Sequence, residues 1–77
     1  MPYDTELAEE LNILNQYNLD TTQEGVKIHS SANDAVTTAA QRLFEKGITT
    51  QSDGGYLTEL GRNAAELTQS LFRIMKN

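Results

Sequence analysis

Leu43-Phe44-Glu45-Lys46-Gly47-Ile48-Thr49-Thr50-Gln51-Ser52-Asp53-Gly54-Gly55-Tyr56-Leu57-Thr58-Glu59-Leu60-Gly61-Arg62 is the stretch on which the fold turns. It reads as a helix end, a β-hairpin and a helix start in direct succession. Gly47 after Lys46 is a good helix-terminating residue. The Thr-rich run Ile48–Gln51 prefers extended backbone. Asp53-Gly54 supplies the positive φ that a type I′ turn demands, and Gly55 leaves room for a bulge. Thr58 stands where a helix N-cap is needed.

Working back from it, Val36, Ala39, Ala40, Leu43 and Phe44 share one helical face. Ser31 and Asp34 have the spacing of a capping box, with Ser30 or Asn33 as alternative caps. Thr37, Thr38, Gln41, Arg42 and Glu45 fall on the outer side of that helix. Val26-Lys27-Ile28-His29 alternates, so it reads as a short strand with Val26 and Ile28 inward. Asp20 with Gln23 and Gly25 marks a turn of one helical revolution at most. A first helix is expected from Asp4 to Tyr17. Its stripe is Leu7, Leu11 and Leu14; Glu6, Glu9 and Glu10 lie off the stripe as a solvated face. Asp4 is its N-cap, Tyr3 staples onto Ala8, and Asn18 ends it in the left-handed conformation.

Working forward, the last helix runs from the Thr58 cap to about Met75. Leu60, Ala64, Leu67, Leu71 and Ile74 form one stripe. Gly61, Ala65, Thr68, Phe72 and Met75 form a second beside it. A surface helix on a small domain needs one buried stripe. Two imply a partner, with Leu71, Phe72 and Met75 as interface residues of a homodimer.

The order is helix, strand, helix, hairpin, helix: an α+β, mostly helical chain of one domain over residues 1–77. Seventy-seven residues hold one core and no large catalytic cleft. Mean hydropathy is −0.52 and no apolar run approaches the roughly 20 residues of a membrane span. Met1-Pro2-Tyr3-Asp4 leads into no signal-type apolar segment. No membrane association and a cytoplasmic location are therefore expected.

Chemistry finds little support. With no Cys and one His, neither a thiolate metal site nor a disulfide is available. His29 with Glu24 and Asp20 is a weak ligand set. Ser30 and Ser31 follow His29, but strand neighbours point to opposite faces. Gly54-Gly55 lacks the Gly-Lys-Ser/Thr of a phosphate loop. The expectation is no enzyme, no metal and no cofactor.

The net charge of −5 is unevenly spread. Through residue 26 there are six acids and no base. From Lys27 onward there are six bases against five acids. Any anion-binding face must lie in the later part. The outer side of the second helix suits double-stranded DNA: Gln41 for adenine, Arg42 for guanine, Thr37 and Thr38 for thymine methyls. Lys46, Lys27, Gln51 and Ser52 would then approach the phosphate backbone. The acid excess opposes this, and a monomer with two or three phosphate contacts binds feebly. An acidic protein-interaction or dimerisation module is the alternative.

Leu43–Thr49 together with Gly54-Gly55-Tyr56-Leu57-Thr58-Glu59-Leu60-Gly61-Arg62 resembles the winged-helix pattern of bacterial repressors. The resemblance covers roughly residues 33–66 and implies a DNA-binding regulator. It also implies that Thr58 caps the last helix and that Gly61 lets it pack closely. The first half departs from the pattern, since the 20–24 turn and the 26–29 strand occupy the place of a helix. A reduced winged helix is expected. Over its whole length the chain also resembles a family of short gammaproteobacterial conserved hypothetical proteins. The matching segments are Leu11-Asn12-Ile13-Leu14, Asn18-Leu19-Asp20, Gln23-Glu24-Gly25, Gln41-Arg42-Leu43-Phe44 and Asp53-Gly54-Gly55-Tyr56-Leu57-Thr58. That resemblance implies size and fold, and supplies no catalytic residues.

Overall fold

A computed structural model describes residues 4–29 and 31–76. The elements are α1 (Thr5–Leu14), β1 (Val26–Lys27), α2 (Asp34–Glu45), β2 (Thr49–Gln51), β3 (Gly54–Leu57) and α3 (Glu59–Lys76). The three strands form one antiparallel sheet in the order β1-β3-β2. This is the α+β, mostly helical class expected. The expected Tyr3 staple and Ser30 cap lie outside the described residues.

Local chemistry explains the helix starts. The Asp4 carboxylate accepts from Leu7 N at 2.8 Å, and the Asn33 side chain accepts from Val36 N at 3.0 Å. Asn33, not Ser31, therefore caps α2. The Thr58 hydroxyl accepts from Gly61 N at 3.0 Å and donates to Gly47 O at 2.6 Å. Thr58 N donates to Ile48 O. One residue thus caps α3 and ties it to the end of α2. Gly61 sits so near Ile48 that a Cβ there would lie 1.9 Å from the Ile48 carbonyl oxygen. The close packing of α3 on this loop requires glycine.

The hairpin forms, but its turn is not type I′. It reverses through Ser52 and Asp53, and among the described residues only glycines have positive φ. Within the hairpin the positive values fall on Gly54 (113°) and Gly55 (78°). The register slips by one residue between Thr49–Leu57 and Gln51–Gly54. A bulge next to the turn therefore absorbs the glycines. It lets β1 approach: a Cβ on Gly54 would stand 2.3 Å from Val26 O.

α1 departs most from expectation. It ends at Leu14 and continues into the i→i+3 bonds Gln16 N to Ile13 O and Tyr17 N to Leu14 O. Asn18 is not left-handed. Carbonyls at the end of α1 also accept from α3: Gln69 Nε2 donates to Leu14 O at 3.0 Å and Tyr17 O at 2.8 Å. Arg62 donates to Leu19 O, and Tyr17 OH to Gly55 O at 3.0 Å. A long helix and a strand thereby fix a segment that has no regular structure of its own. The buried side of α1 is Glu10, Ile13, Leu14 and Tyr17, while Leu7 and Leu11 are half-buried. The core is completed by Ile28, Ala39, Ala40, Leu43 and Ala65. Phe44 was expected to join this face and instead points outward, 43% exposed.

Candidate functional site

The polar side of α2 does not stand free. Glu10, 4% exposed, lies under it. Its carboxylate accepts from Arg42 Nε at 3.2 Å and pairs with Lys46 Nζ. Arg42 also donates to Glu6 O at 3.1 Å and lies 3.3 Å from the Glu6 carboxylate. The α1 face read as solvated is thus an acidic clamp on Arg42 of α2 and on Lys46 at its C-cap. A Glu at this depth is held because its charge is matched twice over. The one sequence signal for it is that Glu10 stands three, four and seven residues ahead of Ile13, Leu14 and Tyr17 and so shares their face; nothing local points to Arg42 or Lys46 as its partners.

The remaining expected DNA-contacting residues fall in more than one place. Thr38 is exposed, in a shallow groove whose walls include Glu6, Glu9 and Asp34. Gln41 is exposed and reaches Glu45 at 3.4 Å. The Thr37 hydroxyl bonds back to its own helix, 3.2 Å from Asp34 O. Lys27 pairs with Asp53 at 3.1 Å. Gln51 and Ser52 are exposed at the hairpin end. Lys27, Thr37 and Ser52 meet around an open depression of about 420 Å³ that also includes His29. Carboxylates or carbonyls engage Lys27, Arg42, Lys46 and Arg62 within the chain.

The end of α3 is the opposite case. Gly61 and Ala65 are buried on the core. Beyond them Leu67 is 67% exposed, Ile74 72% and Met75 74%, with Leu71 more than half exposed and Phe72 at 37%; Leu60, at the start of the helix, is also more than half exposed. An apolar groove of about 240 Å³ runs between α1 and α3, lined by Leu7, Leu11, Leu67, Thr68, Leu71 and Phe72. The expected interface residues Leu71, Phe72 and Met75 all lie on this surface. Leu67 and Ile74, which lie on the first stripe but were not among the expected interface residues, are among its most exposed members.

Among the described residues, no cluster of three or more His, Asp or Glu side chains is placed to hold a metal ion. No helix among them is long and apolar enough to cross a membrane. Burial pushes the Tyr17 phenol above its ordinary value. No match was found among curated proteins or among solved structures. A family model does cover residues 1–76, and the chain belongs to that family, described as "Family of unknown function (DUF5669)".

Proposed function

We propose that this chain is a protein-association module on a reduced winged-helix-like frame, acting through the apolar face of α3 and not through catalysis. The observation that carries this reading is the exposure of Leu60, Leu67, Leu71, Ile74 and Met75 on one 18-residue helix. A continuous apolar face of this kind is costly in water and marks a surface that a partner covers. Site-specific photocrosslinking in living cells tests it. A crosslinker at Leu67 should yield a covalent protein adduct, and one at Thr38 should not. Nucleic-acid adducts at Thr38 with none at Leu67 would reverse the assignment.

A second reading, a DNA-binding regulator, draws on one observation. α2 runs directly into the hairpin, the sheet order is β1-β3-β2, and Thr38, Gln41, Gln51 and Ser52 are exposed. Against it stand the engaged bases and the acidic walls around Thr38, since phosphate neutralisation supplies most nonspecific affinity. Fluorescence anisotropy with mixed-sequence duplex DNA at low and moderate salt separates the readings. Salt-sensitive binding that Gln41→Glu weakens supports the regulator. Gln41 is the residue to change, because it is exposed and altering it leaves the Glu10 clamp intact.

A further inference from the structure

We infer that the partner of α3 is the α3 of a second copy, laid antiparallel across a two-fold axis between Gln69 and Ser70. The inference rests on the association reading above and adds the occupant and its direction. Three features of the helix select them.

The first is charge. Glu59, Glu66 and Arg73 recur every seven residues and therefore line one flank of the helix, drifting only slightly between turns. Exposed Asn63 and Ser70 lie between that flank and the apolar stripe. In an antiparallel pair the same flanks of the two copies face each other. With the axis between Gln69 and Ser70, Glu66 stands level with Arg73 of the second copy, and Arg73 with its Glu66. In a parallel two-fold pair the two flanks lie on opposite sides of the contact, so neither Glu66 nor Arg73 would face its opposite charge.

The second is shape. The same axis places Ala64, half-buried and small, opposite the highly exposed Met75. It brings Leu67 within one residue rise, about 1.5 Å, of the second copy's Leu71. Large meets small at the ends and leucine meets leucine at the middle. Residues 63–76 overlap over about 20 Å, and Leu60 falls outside.

The third is the groove between α1 and α3, which opens beside Leu67 and Leu71 and has room for an aliphatic side chain. Gln69 takes no part, because its amide holds the α1 carbonyls on the opposite side of α3. An isologous contact must be its own complement. Here an acid, a base, a small residue and a large one meet that condition about one axis.

Sedimentation equilibrium of the full chain over a range of concentrations, at low salt, is the test. The parent should be dimeric, and Leu67→Asp monomeric with unchanged circular dichroism, since Leu67 is mostly exposed in the monomer. Glu66→Arg and Arg73→Glu should each weaken the dimer about five- to tenfold, because each turns two attractive contacts repulsive. The double swap should return affinity to within about twofold of the parent. A parent monomeric throughout, or single charge variants without effect, overturns the inference. If Leu67 still crosslinks to another protein, association through α3 survives that outcome. A dimer indifferent to Leu67→Asp, with no crosslinking at Leu67, removes both.

Discussion

Replacing Glu10 by Gln probes the clamp on which the placement of Arg42 and Lys46 depends. The side chain of Glu10 is 5% exposed, that of Arg42 23% and that of Lys46 51%. Removing one partner from a fully buried pair costs roughly 3–5 kcal/mol. Here the two bases reach water and relax outward, which discounts that figure. Gln keeps one acceptor for Arg42 but loses the charge and turns an N–H toward Lys46. The net cost is about 2 kcal/mol, close to that of one charge-assisted hydrogen bond. With a urea m-value of about 1 kcal/mol/M for so small a domain, the midpoint should fall by about 2 M at unchanged m. Circular dichroism during urea titration measures it. A double-mutant cycle with Arg42→Gln should return a coupling of about 1 kcal/mol or more. A midpoint within about 0.3 M of the parent, or no coupling, would refute the clamp and leave Arg42 and Lys46 as bases free to meet another molecule. DNA affinity gives an independent check: if those bases read DNA, freeing them by Glu10→Gln would strengthen binding, and the association reading expects none.

Gly61→Ala should destabilise the fold by about 2 kcal/mol even though alanine is the better helix former by about 1 kcal/mol. Its Cβ would meet Ile48 O at 1.9 Å and force α3 off the loop; a melting temperature equal to or above that of the parent would contradict this. Tyr17→Phe removes the donor to Gly55 O and should cost about 1 kcal/mol at neutral pH. Because burial raises the Tyr17 phenol, the neutral form is favoured in the folded state. Its contribution is complete below the ordinary tyrosine value of 10.0 and is lost as pH climbs through the raised one. Urea midpoints of parent and variant should therefore converge in the alkaline range, and parallel curves would count against it.

The hairpin and the Thr58 cap were legible in sequence because each depends on residues within a few positions of one another, whereas the close approach of Gly61 to Ile48 was only implied by the winged-helix resemblance. The type of the turn was not legible. Asp53-Gly54 has the composition of a type I′ turn, but Gly55 offers a second residue at ease with positive φ. The approach of β1 to Gly54 is a contact between distant parts of the chain, and the bulge accommodates it. α1 shows the same division. Leu7, Leu11 and Leu14 form as good a stripe as Glu10, Ile13, Leu14 and Tyr17 on hydrophobicity alone. Reading by apolar content selects the leucines, whereas two bases arriving from α2 make the Glu-headed face the one that is buried.

For the candidate sites the consequence is direct. Arg42 and Lys46 look free on a helical wheel of α2, since a wheel shows neighbours on one helix and not the acid that faces it from another. The wide apolar coverage of α3 was visible in spacing, and the structure leaves much of its C-terminal half exposed. Sequence alone determined the order of elements, the Asp4 and Thr58 caps, the position of the hairpin and the excess of apolar residues on α3, because those follow from local backbone chemistry and periodicity. Tertiary structure decided which face of α1 is inside, which bases are already paired, and how much of α3 the chain covers. Those outcomes depend on which charges and surfaces meet across tens of residues, and no local preference encodes that.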